Sequence, residues 1–534
     1  MTATSSHLGV FGQDTWQVND RITVNFGLRW ELMPPFIETI GDLGSFDPSN
    51  NSILVPNALA GTLANNAGYQ TVYTQFLQSF NACSLGYTAL PCTNVRTASQ
   101  DHLPQGLRQL YMRDFDPRIS VAFRPFHDDK TVLRAGFGIF TVTTLGPMSF
   151  NNAGNPLSAV DTYQNYIQGQ PPQFQFPQTD APAQAVQIGG GTLDQANDPR
   201  FRDPQSAQWN VTLERELGGN TALRVTYAGM NSYRLTQTED LNQIAPSTTA
   251  YVSSPYVDPR APYQNWFSLL STENAGFANY QALQVEGNHR LTKGLSFQAY
   301  YTFAKNLSDA QGDAPSGFAS EVAYGLAVSN RFDLRANRGN VEGTPRHRFQ
   351  LNGIYQLPFG SGRSWSSSSR WVNGMLGGWD VSTVTLLHTG PWLTPTINPA
   401  EDQSNTDIAA RGTILRPDCV ANPIPANRSS AQYFNIGALA ETPTNAGRLG
   451  NCGVGILEGP GTVAMAAGLG KVFHIGEQVK LRFEATFTNV LNHTNFAPPA
   501  VDISNAQTFG VLQSAQTAEN AGNRTGQLAL RLDF

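Results

Sequence analysis

The sequence predicts an all-β protein, a transmembrane antiparallel β-barrel with about 13 to 14 strands in this chain. Three observations lead to this fold class: apolar residues recur at every second position, short and long connections alternate, and charged residues are scarce. Of the 534 residues, 14% are charged and 40% are hydrophobic. An average soluble domain has roughly 25% charged residues. This chain must therefore bury much apolar surface or place it in a membrane.

The composition and the sequence pattern also exclude several classes of protein. No window approaches the roughly eighteen uninterrupted apolar residues of a membrane-spanning helix. The formal net charge is −6 and basic residues form no runs, which argues against nucleic acid as a partner because that binding rests on clustered Lys and Arg. The start, MTATSSHLGV, lacks the basic and apolar regions of a signal peptide.

The predicted strands are segments in which apolar and polar residues alternate, so that each strand has one apolar face and one polar face. The pattern is clearest in residues 22–32, 295–303 and 479–487. The same alternation occurs in residues 7–18, 119–123, 133–139, 209–213, 223–227, 283–285, 349–357 and 528–534. We expect about thirteen strands in all.

The connections between these strands alternate strictly between two kinds. Short turns are predicted at residues 19–20, 127–129, 218–220, 292–294 and 475–477. Polar connections rich in Pro, Gly and Asn, without predicted structure, cover residues 33–114, 143–206, 233–277, 309–344, 391–460 and 490–521. A soluble sandwich rarely has so many long loops, whereas a membrane barrel has short periplasmic turns and long extracellular loops.

The number of strands carries a further expectation about the chain. Bacterial single-chain barrels have an even number of strands, but an odd count places the start of the first strand on the extracellular side. Residues 1–534 are therefore expected to be the C-terminal portion of a longer barrel protein. Short strands hidden in residues 391–460 are the competing explanation.

Several aromatic residues lie near predicted strand ends. They are Trp16, Trp30, Trp209, Tyr227, Phe359 and Trp379. Such residues suit the aromatic girdles at membrane interfaces. The alternative is that each is an ordinary aromatic residue of a sheet.

Ordered phrases along the whole chain resemble a known family. They are residues 9–32 (GVFGQDTWQVNDRITVNFGLRWEL), 115–126, 133–140, 210–229, 279–305, 346–360 and 481–496 (LRFEATFTNVLNHTNF). The chain resembles the C-terminal barrel of TonB-dependent outer-membrane receptors, and more narrowly the Oar-like group typical of Acidobacteria. The resemblance implies a 22-stranded barrel in the outer membrane that captures a ligand and takes part in its uptake.

The resemblance also implies partners and an assembly signal. The terminal QLALRLDF, with Leu528, Leu530, Leu532 and Phe534, is similar to the signal read by the barrel-assembly machinery; the alternative is a final amphipathic strand. Family members carry a plug and a TonB box, which are not visible here, so TonB would act only through a plug missing from this chain. The remaining partners are outer-membrane lipid and a small-molecule, oligosaccharide or peptide ligand.

Charged residues on the polar strand faces are expected to line the lumen, since a lipid-facing charge costs several kcal/mol. They are Arg29, Glu31, Arg134, Glu214, Arg224, Glu286, Arg482 and Glu484. Their expected role is to form ion pairs on the wall or to contact a plug, and the alternative is direct contact with a substrate. The long loops, rich in Asn, Gln, Tyr and Phe, are better candidates for ligand capture.

The four cysteines form two local pairs in predicted extracellular loops. We expect disulfides between Cys83 and Cys92 and between Cys419 and Cys452, although three connectivities are possible. Zinc is not expected, because no pair has CxxC spacing and the histidines are scattered.

No catalytic motif is found in the sequence: GxSxG, HExxH and a complete phosphate loop are missing. Gly470-Lys471 is followed by Val472 where a phosphate loop requires Ser or Thr. The sequence therefore predicts no enzyme, no cofactor and no metal. Two alternatives to a receptor remain, a self-sufficient passive pore and a secreted β-sandwich adhesin or carbohydrate-binding protein.

Overall fold

The computed structural model describes residues 3–88, 91–142, 156–157, 191–251, 258–310, 328, 330–398, 403–406, 415–475 and 479–534. Its main element is one sheet in which thirteen strands pair in chain order, each antiparallel to the next. The strands are β1 (Leu8–Asn19), β2 (Ile22–Leu32), β3 (Asp114–Phe123), β4 (Thr131–Thr141), β5 (Gln205–Gly218), β6 (Thr221–Asp240), β7 (Trp266–Thr292), β8 (Leu295–Ser308), β9 (His347–Gln356), β10 (Trp379–His388), β11 (Thr462–Ile475), β12 (Val479–Thr488) and β13 (Thr525–Asp533). The predicted all-β class and strand count are confirmed.

Two further strands join the edge of this sheet at its long-connection end. Gly191–Asn197 runs parallel to the first part of β7, and Gly339–Asn340 pairs with the end of β8. Within the described residues, β1 and β13 each pair on one side only. The short strands in residues 391–460 pair in sheets of their own and not with the main sheet.

One face of the main sheet is apolar and exposed. Phe26, Ile119 and Phe137 are register partners on β2, β3 and β4, and they are 47%, 49% and 43% exposed. Strand pairing satisfies the backbone, while the described residues leave nearly half of each of these side chains uncovered. This is the arrangement that a strand needs when its outer face meets hydrocarbon.

Tight turns join the strands at one end of the sheet. Asn220 and Lys293 take positive φ angles of 61° and 50° in the turns after β5 and β7, as two-residue hairpins require. The predicted turn at 475–477 lies partly outside the described residues. The predicted strict alternation is wrong at residues 357–378, which join β9 to β10 at this end and contain a helix, α3 (Arg370–Leu376).

The long connections at the other end are folded, so the expectation of connections without structure is wrong for the described residues. Residues 33–114 contain the helices α1 (Ala58–Asn65) and α2 (Ala67–Ser79) and a three-stranded sheet. The strands of these connections are Ala3–Thr4 with Ile37–Glu38, Ser45–Asp47 with Ser52–Val55 and Asn94–Thr97, Trp392–Leu393 with Leu457–Glu458, and Asp418–Cys419 with Leu439–Ala440. Single 3-10 turns are Cys83–Leu85, Ala98–Asp101, Leu334–Asn337, Ile436–Ala438 and Ala518–Asn520.

The hydrophobic cores of the molecule lie in these connections. Phe46 and Phe80 come from the connection between β2 and β3, Trp266 is the first residue of β7, and all three are at most 1% exposed. The Trp266 ring stacks on Phe80 with 4.9 Å between centroids. A second core surrounds Phe434 and Leu457. Among the described residues, no helix has the length and apolar character to cross a membrane.

Candidate functional site

The polar face of the main sheet carries a ladder of ion pairs. Glu214, Arg224 and Glu286 are register partners on β5, β6 and β7 and therefore share one face. Arg224 donates through Nε to Glu214 Oε1 and through Nη1 to Glu286 Oε2, both at 2.7 Å. Arg134 reaches the same Glu214 at 3.4 Å. Four of the predicted lumenal charges thus form one connected group.

The other four predicted charges lie elsewhere on the sheet. Arg29 contacts Glu31 on β2, and Arg482 contacts Glu484 on β12. Arg482 also lies 3.6 Å from Asp380 on β10. The eight residues therefore form three separate groups of ion pairs and not one site.

A cavity of about 810 Å³ opens on the polar face over β1 to β7. Its lining includes amide and hydroxyl side chains, and Asn25 Nδ2 donates to Ser120 Oγ at 3.2 Å. Gly136 forms part of the wall, where a Cβ would contact the Asn210 side chain at 3.4 Å. Arg118 lies 4.7 Å from the Phe140 ring and supplies a positive charge. Sequence reasoning missed this cavity, because it depends on small residues of different strands.

Two further cavities continue the first one toward the short-turn end. A cavity of about 630 Å³ is lined by the ion-pair ladder and shares Asn210 with the first. A third, of about 680 Å³, shares Arg224 with the second and reaches Asn220 in the turn after β5. The polar face thus carries a continuous row of concave, hydrogen-bonding surface between the two ends of the sheet.

The cysteines stabilise the long connections. The structure joins Cys83 to Cys92 and Cys419 to Cys452. Beside the second disulfide, Arg448 donates to both carboxylate oxygens of Asp418 at 2.6 Å. These hydrogen bonds lower the pKa of the Asp418 carboxyl below its usual value.

The aromatic residues of the long connections pack mainly against each other. Phe46 meets Tyr263 edge to face at 4.9 Å, and Phe80 is covered by Trp266. Tyr87 and Phe332 remain 40% and 54% exposed. Only some of the aromatic residues in the long connections are therefore exposed enough to stack on a ligand.

The part of β7 that extends beyond its pairing with β8 holds a carboxyl with altered acidity. This extension, residues 266–276, lies outside the membrane-spanning part, because a spanning strand needs only about 9–11 residues. Burial, together with the nearby Asp198 carboxylate, raises the pKa of Glu273 to about 7. Ser271 Oγ donates to Glu273 Oε1 at 2.7 Å.

The predicted girdle aromatics take several environments. Trp16 and Tyr227 are 58% and 46% exposed. Trp30 donates through Nε1 to Met112 O at 2.9 Å, and Trp209 packs over Gly229. Phe359 contacts Trp365 edge to face at 5.9 Å.

The terminal strand presents its apolar residues outward. Leu528, Leu530 and Leu532 are 70%, 69% and 54% exposed, and they pair in register with residues of β12. Phe534 is 97% exposed. The alternation predicted from the sequence is thus present, with one free edge of β13 beside it.

The chain matches the outer membrane beta barrel domain family over residues 1–527. It belongs to this family and is a protein of the outer membrane. The single paired sheet with its exposed apolar face is the fold expected for such a barrel. No protein with a curated description matches the chain.

The solved structures to which the chain is similar include outer-membrane receptors and transporters. The siderophore receptor PiuA of Acinetobacter baumannii is 9% identical, with 99% of this chain and 43% of that chain covered and a TM-score of 0.39. The transporter YddB of Escherichia coli is 8% identical, with 99% and 54% covered and a TM-score of 0.39. The copper transporter OprC is 10% identical, with 100% and 48% covered and a TM-score of 0.39. The chain spans about half the length of these proteins.

Proposed function

We propose that this chain is the barrel part of a TonB-dependent outer-membrane receptor of the Oar-like group, which captures a ligand and takes part in its uptake. The observation that carries the proposal is the continuous row of cavities on the polar face, which begins in the half of the sheet nearer the long connections. Amide, hydroxyl and guanidinium groups in this row suit a polar ligand such as an oligosaccharide or a peptide. The folded long connections would make the first contact.

Energy coupling would come from outside this chain. We propose that residues 1–534 form the C-terminal portion of a 22-stranded barrel, and that TonB acts through a plug domain of the whole receptor. The one-sided pairing of β1 and β13 in the described residues supports this arrangement, because a strand edge in hydrocarbon needs a partner. The barrel-assembly machinery would read the exposed terminal residues of β13.

A growth experiment tests the receptor proposal. The native gene is deleted, and growth is compared with the parent on maltodextrins, xylo-oligosaccharides or tripeptides as the sole carbon source. We expect growth to be lost on one source, and to be lost equally when TonB is deleted. Growth that depends on this gene but not on TonB would instead show a passive pore, and unchanged growth on every source would contradict uptake of these ligands.

A matched pair of variants tests the cavity row. Arg118→Gln removes the positive charge from the cavity over β1 to β7, whereas Lys130→Gln removes an exposed charge from the short turn after β3. We expect Arg118→Gln to raise the ligand concentration for half-maximal growth, and Lys130→Gln to leave it unchanged. Equal effects of the two variants would show that the cavity is not on the ligand path.

A further inference from the structure

The connection between β9 and β10 carries an apolar helix face with no protein cover in the described structure. Within α3, Trp371, Val372, Met375 and Leu376 lie on one face, since residues four apart are neighbours on a helix. Their exposed fractions are 85%, 40%, 71% and 53%. The preceding Trp365 is 70% exposed.

The opposite face of α3 is the one tied to the protein. Asn373 donates through Nδ2 to Ser367 O and accepts through Oδ1 from Ser367 N, both at 2.7 Å. Ser369 caps the first turn by accepting from Val372 N. The polar side of the helix therefore faces its own connection, and the apolar side points away from it.

Lys471 of β11 holds the end of this helix against the barrel. Its Nζ donates to Gly374 O, Met375 O and Gly377 O at 3.1, 2.6 and 3.0 Å. These carbonyls have no partner inside the helix, and a cation also suits the negative end of the helix dipole. Trp379 Nε1 donates to Met375 O at 3.1 Å.

The position of Lys471 shows on which side of the sheet the helix lies. Lys471 is two residues from Leu469 and from Phe473, so it lies on the same face of β11 as these residues. Leu469 and Phe473 are 39% and 41% exposed on the apolar face. Its register partners, Trp379 and Phe483, belong to the same face. The helix therefore ends against the lipid-facing surface and not over the lumen, and its apolar face continues the lipid-facing band.

We propose that Trp365 and α3 form an interfacial anchor in the phospholipid leaflet at the short-turn end, which is the periplasmic side of such barrels. The apolar face would enter the boundary between head groups and acyl chains, to a depth of about 5–10 Å. Arg363 and Arg370 are exposed beside it and suit lipid phosphates. This anchor goes beyond the proposed function, since it needs no ligand.

Spin labels test the anchor on the whole protein in vesicles of phosphatidylethanolamine and phosphatidylglycerol. The described chain has no free cysteine, so a nitroxide attaches only where one is introduced. Met375→Cys places it on the apolar face. Gly374→Cys is the matched control on the polar side of the same helix, where a Cβ meets nothing within 4 Å.

We expect the label at position 375 to collide several-fold more with oxygen, relative to a water-soluble nickel chelate, than the label at position 374. Trp371→Cys should behave like Met375→Cys, and Lys293→Cys, in a short turn of the same end, should behave like the control. Heat-dependent migration shows that each variant is folded. Equal ratios at positions 374 and 375, or nickel access at 375 equal to that at 293, would overturn the proposal.

Discussion

The main sheet and the folded long connections place the same kinds of residue in opposite positions. On the sheet, Phe26 and Ile119 are about half exposed, whereas Phe46 and Ile53 in the connections are fully buried. The difference lies in the surrounding solvent. Apolar side chains gather into a core where water is the alternative, and they point outward where hydrocarbon is.

The two regions also differ in how far apart in the chain their contacts lie. The sheet pairs each strand with the next one along the chain. In the connections, Asn265 Nδ2 donates to Phe80 O at 2.6 Å, and Ser45 Oγ donates to Asn197 O at 2.7 Å. These contacts join the connections after β2, β4 and β6 into one folded unit, the outer unit, whose parts are far apart in sequence.

The largest expected effect comes from the centre of the outer unit. Trp266→Ala removes a side chain that stacks on Phe80 and donates to Thr93 Oγ1, and such changes cost about 3–5 kcal/mol. We expect rapid protease cleavage of the connections with unchanged heat-dependent migration of the barrel. Trp16→Ala, which changes an exposed tryptophan of β1, is the control. Loss of migration in the Trp266 variant would show that the two regions fold as one.

A charge introduced on the lipid-facing side tests the main sheet. Leu283→Arg should cost about 2–4 kcal/mol, since a lipid-facing cation is destabilising. Gln284→Arg, the next residue but on the polar face, should change stability much less. Urea unfolding in lipid vesicles measures both, and similar losses would contradict the assignment of the two faces.

The acidity of Glu273 predicts a pH dependence confined to the outer unit. Its raised pKa means that the folded unit holds a proton which the unfolded chain loses near the usual glutamate pKa. Stability should thus be highest below pH about 4.5 and fall until pH about 7, by at most about 3 kcal/mol. Glu273→Gln should flatten this profile in hydrogen exchange of the outer unit. A profile that falls equally in the variant would assign the effect to another group.

The smallest effect is expected for the ion-pair ladder. Arg224→Gln removes the hydrogen bonds to Glu214 and Glu286, and exposed pairs contribute about 0.2–1 kcal/mol. Arg134→Gln, which removes one longer contact, should cost less. Both losses should shrink in high salt, and unfolding midpoints in detergent at two salt concentrations measure this. A salt-independent loss would indicate packing and not charge.

The strands of the sheet were predictable from the sequence because each strand is marked by alternation within its own segment. Alternation in residues 22–32 and 479–487 marks strands that the structure places at Ile22–Leu32 and Val479–Thr488. The same alternation assigns Arg224 and Glu286 to the polar face. It does not give their pairing, because register between strands depends on two segments and not on one.

The outer unit and α3 were not predictable in this way. The core residues Phe46 and Phe80 are 34 positions apart in one connection, and Trp266 lies much further along the chain. They follow no common period, so no single short segment signals a core. The seven residues of α3 are too few for a helical period to stand out. Lys471 fixes the place of α3 on the barrel, through hydrogen bonds to residues nearly a hundred positions earlier in the chain.

Lys471 joins two segments that lie far apart in the chain. With α3 in place, its ammonium is covered and bound to three carbonyls. Without α3, the same residue would expose a positive charge on the lipid-facing side close to the interface, where a lipid-facing cation costs about 0–1 kcal/mol. Relatives that shorten the connection between β9 and β10 should therefore carry an uncharged residue at this position, an epistatic dependence that an alignment of such relatives would reveal.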